Sequence, residues 1–264
     1  MFGIPPQSRE IYSSNFIRSV QLKASYASTP QCSEDRERFK DLFSDSFPKI
    51  DDATAVRIEL NGKGSNVTTH TDDHRLVLRS ENLQKEIAFT NDECLFTVSG
   101  DNYKSFDEVS KQYKKALFFV QTCGVHTLNF LSLRKVNVVQ FSAETNGDSI
   151  VPIHGALQQL ISNGLLIDYD NRFSINSFLK QSFQTIVLQD TGYELTIKYG
   201  VEALRRENSS KKVSGIVVID LSIKKNQIPV DVLEVELDKF NNEIYSAFRW
   251  ILSDNAINLL KDGH

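Results

Sequence analysis

The chain has 264 residues, 40% of them apolar and 24% charged, with 30 Lys and Arg against 34 Asp and Glu for a formal charge of −4. This balance excludes wholesale disorder and the basic excess of a general nucleic-acid binder, and the length suits one large domain or two closely packed halves. Three cysteines without CxxC spacing (Cys32, Cys94 and Cys123) argue against a disulfide framework or a structural zinc site, so a reducing, cytoplasmic setting is expected.

After a short polar arm carrying Pro5-Pro6, Phe16, Val20, Leu22, Ala24 and Tyr26 alternate with Ile17, Ser19, Gln21, Lys23 and Ser25. A period of two predicts a half-buried strand, with Arg18 the odd member of its inward row. A short helix is expected next, capped by Ser33, apolar at Phe39, Leu42 and Phe43, and stopped before Pro48. Four short strands follow in the pattern of a meander. They carry Val56 to Leu60, Leu76 with Leu78 after an Asp72-Asp73 turn, Ile87 with Phe89, and Cys94 to Val98.

The period then changes. Ser105 and Glu108 read as a capping box. Phe106, Val109, Tyr113, Ala116, Leu117 and Val120 share one face of a helix at 105–120, with Lys111, Lys114 and Lys115 on the other and Cys123-Gly124 at its end. Residues 125–141 return to strand, apolar on both faces. A short helix at 154–162 precedes strands at 183–188, 193–201 and 213–223, the first two joined by an Asp190-Thr-Gly192 turn. A long amphipathic helix at 231–252 and a last short one behind Ser253-Asp254 complete the chain. The resulting expectation is an α+β fold of antiparallel sheets with packed amphipathic helices. An N-terminal half at 1–150 and a C-terminal half at 151–264 suggest an old duplication.

The run Leu133-Arg134-Lys135-Val136-Asn137, Asp220 with Ser222, and Phe248 ahead of Ser253-Asp254 fall in an order that resembles a sporadically distributed family of bacterial conserved hypothetical proteins of about this length. The chain departs from that pattern at Lys135, where the family has Tyr, at Ser222, where it has Asp, and at Asn241 or Asn242, where the helix carries His. The resemblance implies an association with defence or mobile-element systems and no particular chemistry.

Arg134 and Asp220 each interrupt an apolar strand. They read as an internal ion pair, since a lone buried charge is costly, as separate surface exposures at the sheet edge, or, together with Asn137, as a ligand-binding set in which the arginine fork takes a carboxylate or phosphate. His70-Thr-Asp-Asp-His74 holds metal-ligand types but also ordinary turn chemistry, and no distant third ligand is evident. Cys123-Gly-Val-His126 is read as a helix end with a buried thiol, and Gly62-Lys63-Gly64-Ser65 as a hairpin without the rest of a phosphate loop. His154 is read as a cap or packed side chain, and Arg205, Arg206, Lys211 and Lys212 as a solvated basic loop, the one local feature that could favour nucleic acid.

No nucleophile–base pair or full ligand set assembles, so no catalytic residue, metal or cofactor is expected. The favoured reading is a non-enzymatic binding or regulatory protein with a protein partner or self-association and no membrane span. The alternative is a small-molecule sensor or enzyme with a pocket between the halves near Arg134 and Asp220.

Overall fold

The computed structural model describes residues 1–10, 12, 15–60, 67–144, 157–166, 181–206 and 212–262. Among the described residues there are nine strands: β1 (Ile17–Tyr26), β2 (Lys49–Leu60), β3 (Val67–Arg79), β4 (Lys85–Phe89), β5 (Glu93–Ser99), β6 (Thr127–Glu144), β7 (Gln181–Asp190), β8 (Tyr193–Arg206) and β9 (Lys212–Pro229). The helices are α1 (Pro30–Glu34), α2 (Arg36–Phe43), α3 (Phe106–Thr122), α4 (Leu233–Ile251) and α5 (Asp254–Asp262). The strands form one open antiparallel sheet in the order β2-β3-β4-β5-β1-β6-β9-β8-β7. The fold is α+β, as the periodicities require.

Contacts divide the chain into two compact units. One comprises Met1–Ser19, Arg134–Lys224 and Asp238–His264; the other comprises Val20–Leu133 and Lys225–Leu237. The expected boundary at residue 150 lies outside the described residues.

In the second unit, β2 to β5 form the anticipated meander, with Lys49 opposite Arg79, Leu76 opposite Phe89 and Lys85 opposite Val98. The Asp72-Asp73 turn is corrected. β3 runs straight through it, and the pairing shifts there, with Ala55 opposite Asp73 and Arg57 opposite His70. A bulge can absorb the extra residue without ending the ladder. Ser33 is likewise inside α1 rather than capping a longer helix, and α2 begins after Asp35.

The abundance of phenylalanine has its explanation in this unit. Phe39 stacks on Phe89 at 4.4 Å and meets Phe119 edge-on at 5.1 Å, while Phe43 joins Phe39 to Phe47 and Phe47 reaches Phe96. Tilted and edge-on ring pairs of this kind add directional attraction to the apolar burial. α3 lies in the same cluster through Phe119 and buries Tyr113, Ala116, Leu117 and Val120. The Ser105 hydroxyl accepts from the Glu108 amide at 3.2 Å, so half of the capping box forms. The Glu108 carboxylate turns instead to the Lys85 ammonium at 2.6 Å. Gly124, at φ +90°, lets the chain reverse out of α3, with its amide donating to the Gln121 carbonyl.

In the first unit, β7 and β8 pair residue for residue from Gln181 opposite Glu202 to Asp190 opposite Tyr193, joined by Thr191 and Gly192 at positive φ. β8 buries Tyr193, Leu195, Ile197, Tyr199 and Val201, the alternation that its sequence announces. α4 crosses the division, burying Phe240, Ile244, Ala247 and Ile251 in this unit after Leu233 and Leu237 in the other, in steps of three and four. The N-terminal arm lies along its polar side. There the Met1 amine meets Glu243 at 3.3 Å, Arg9 donates to Asn242 at 2.8 Å, and the Glu10 amide donates to the Tyr245 hydroxyl at 2.9 Å. Among the described residues, no helix is long and apolar enough to cross a membrane.

Candidate functional site

The residues with the strongest chemical signal in the sequence engage one another. Arg134 on β6 makes a two-pronged bond to Asp220 on β9, Nε to Oδ1 at 2.8 Å and Nη2 to Oδ2 at 2.6 Å, and the carboxylate strengthens the charged form of the guanidinium. The pair is not internal, which corrects the expectation of a dry interior. The Arg134 side chain is 47% exposed and that of Asp220 17%. The reason is register. The inward row of β6 is Leu131, Leu133, Lys135 and Asn137, and that of β9 is Val217, Ile219, Leu221 and Ile223, so Arg134 and Asp220 occupy the opposite face.

The buried polar pair of this region is a different one. Lys135 is 9% exposed and donates to the Asn241 amide oxygen on α4 at 2.6 Å, and Asn137 donates to the Ile219 carbonyl at 3.2 Å. Burial, helped by the Arg9 charge, pulls the Lys135 ammonium down to about 7. The signal was available in the sequence, because Lys135 and Asn137 sit in phase with Leu131 and Leu133. Reading the strand as apolar on both faces hid it.

Other candidate positions divide in two. The side chains of His70 and His74, residues 61–66, His154, the side chains of Arg205 and Arg206, and Lys211 lie outside the described residues. The three thiols are all buried, and desolvation raises each above the ordinary cysteine range. Cys123 sits at the end of α3, as its reading required. Among the described residues, no group of three or more His, Cys, Asp or Glu could hold a metal ion.

An open surface feature lies in the second unit, between α2 and α3. A groove of about 460 Å³ is lined by Arg38 and Leu42 from α2 and by Lys111, Lys114, Lys115, Phe118, Phe119 and Thr122 from α3. Lys111, Lys115, Phe118 and Thr122 stand at helical steps of four, three and four, so α3 presents them as one stripe. Phe118 is 50% exposed, whereas Phe119 beside it is 4% exposed and anchored in the aromatic cluster.

The cations on the groove are held in different ways. Lys114 meets the Glu234 carboxylate at 2.6 Å. Lys115 donates to the Leu42 carbonyl at 2.7 Å and stands over the Phe43 ring, tying α3 to α2. Arg38 covers the Phe119 ring and reaches Asp35 only at 3.9 Å. The sequence reading placed the three lysines on the polar face of α3 but gave no groove, because α2 is 73 residues from α3 at the Leu42–Lys115 contact.

No family model matches the chain, and no curated protein matches it in sequence.

Proposed function

We propose that the chain is a non-enzymatic binding protein and that the α2–α3 groove is the surface through which it engages a protein partner. The observation that carries this reading is a half-exposed phenylalanine, Phe118, set in an open groove of about 460 Å³ on an otherwise charged helix face. A large ring left half in water forgoes roughly 1 kcal/mol of burial, and a partner that covers it recovers that energy. An aromatic anchor ringed by polar groups is the usual composition of an energetic centre in a protein–protein contact. The reactive side-chain types support the same reading from the other direction, because the thiols are buried and Arg134 is engaged by Asp220.

Native mass spectrometry of freshly purified protein tests the proposal. The expected result is a retained polypeptide, a second copy or a different chain, that is lost in Phe118→Asp and kept in a control such as Val187→Asp on β7. A retained small molecule that is indifferent to Phe118→Asp would overturn it, and would favour a sensor or an enzyme instead.

A further inference from the structure

We infer that the occupant of the α2–α3 groove is an acidic segment of a partner protein that presents one bulky apolar side chain to Phe118; this rests on the binding reading above and names its partner class. Four of the eight residues lining the groove are cations, Arg38, Lys111, Lys114 and Lys115, and none of the eight is a carboxylate. In a chain whose formal charge is −4, that local excess runs against the overall balance. Potentials across a protein contact are complementary, so the rim selects negative charge while the floor of Leu42, Phe118 and Phe119 selects an apolar group.

The protein itself shows the rim holding a carboxylate. Glu234, in the first turn of α4, reaches Lys114 at 2.6 Å although its own side chain is 71% exposed. An exposed pair of this kind contributes little to stability and exchanges readily, so Glu234 occupies a position that an incoming carboxylate can take. Arg38, 64% exposed with its nearest carboxylate at 3.9 Å, is a second cation able to turn toward a ligand. A nucleic acid fits less well. The stripe from Lys111 to Thr122 is only about 17 Å long at 1.5 Å per residue, and its centre is apolar rather than a track for successive phosphates. A membrane surface would favour a convex apolar ridge over a groove.

The test is a selection from a displayed library of random twelve-residue peptides against the full chain, with counter-selection on Phe118→Asp. The enriched peptides are expected to be rich in Asp and Glu around a Leu, Phe or Trp. A synthetic peptide of that consensus should bind about 10-fold more weakly to Lys111→Glu and more weakly as salt rises. Glu234→Gln, which frees Lys114, should tighten binding several-fold, a gain that a merely structural role for Glu234 would not produce. Enrichment of basic or uncharged peptides, or no effect of Glu234→Gln together with none of Lys111→Glu, would overturn the acidic class. So would phosphatidylglycerol vesicles or an oligonucleotide that bind through Phe118 where the peptides do not. If the acidic class fails while native mass spectrometry still shows a polypeptide lost in Phe118→Asp, the groove remains a docking surface with a different occupant. If no polypeptide is retained, the binding reading falls as well.

Discussion

The Lys135 ammonium nitrogen lies 2.6 Å from the Asn241 amide oxygen, and both residues are buried, at 9% and 3% exposure. A neutral amide can accept a hydrogen bond but cannot neutralise a buried cation, so burial wins and lowers the ammonium to about 7.

Stability should therefore depend on pH in a defined direction. The folded value, about 7, is below the ordinary 10.5, so between them the unfolded chain holds a proton that the folded chain lacks. Stability rises with pH across that window and is flat below it, by an amount on the order of 3–5 kcal/mol. Denaturant unfolding between pH 6 and pH 10 should show the slope in the native protein and its loss in Lys135→Met. The slope is the readout, because the variant also leaves the Asn241 oxygen short of its donor, worth about 1–3 kcal/mol at any pH.

The Arg134–Asp220 pair should behave as a surface bond. With Arg134 47% exposed, Arg134→Ala is expected to lower stability by about 1 kcal/mol rather than the several that a buried pair would lose. A double-mutant cycle with Asp220→Ala should return a coupling of similar size, read by urea denaturation. A loss above about 3 kcal/mol would show the pair to be shielded from solvent.

Phe39 is the centre of the aromatic cluster, at 0% exposure and in ring contact with Phe43, Phe89 and Phe119. Phe39→Ala should lower stability by about 3–5 kcal/mol, through lost transfer energy and the cavity left behind. Phe118→Ala, one residue from Phe119 but half exposed, should change it by less than about 1 kcal/mol. Thermal unfolding of the two variants side by side separates the ring that holds the unit together from the ring offered to a partner.

Buried thiols with raised ionisation should resist disulfide reagents. Cys32, Cys94 and Cys123 are expected to react with Ellman's reagent at pH 8 only after denaturation, releasing three equivalents together. Prompt labelling of one thiol in the folded protein would show local opening at that site.

Glu108 offers an acid-side counterpart. Its hydrogen bond to Lys85 holds the carboxyl below its ordinary value, so its contribution is present above the unfolded-state value and lost as pH falls through the folded one. Lys85→Met should move the Glu108 titration upward when followed by carbon-detected NMR. Ser105→Ala, which removes the formed half of the cap, should lower stability by about 1 kcal/mol.

The elements readable from the sequence were those whose pattern is set by one local face. The alternation of β8 from Tyr193 to Val201 and the three-four stepping of α4 from Leu233 to Ile251 both appear where expected. Arg18 shows how far that logic extends, because it keeps the phase of the inward row of β1 while standing exposed where the row runs out of cover. Lys135 shows its cost, since one polar residue in phase with Leu131 and Leu133 was outweighed by apolar neighbours on the other face. The groove was out of reach for another reason. Leu42 and Lys115 become neighbours only through the fold, and no local period encodes a space between two helices.

The threading of the chain sets an order of events during synthesis. Residues 1–19 belong with 134–224 and 238–264, and the chain passes between units inside β1, β6, β9 and α4 rather than at linkers. The amine of Met1 meets Glu243, and Glu10 meets Lys261, partners made more than 200 residues later. At about 5–20 residues per second the arm must wait many seconds for its partners, unlike a domain that closes as it emerges. Contacts of such sequence separation also favour slow folding, so the unpaired arm and the bare polar side of α4 are what a nascent chain leaves open longest.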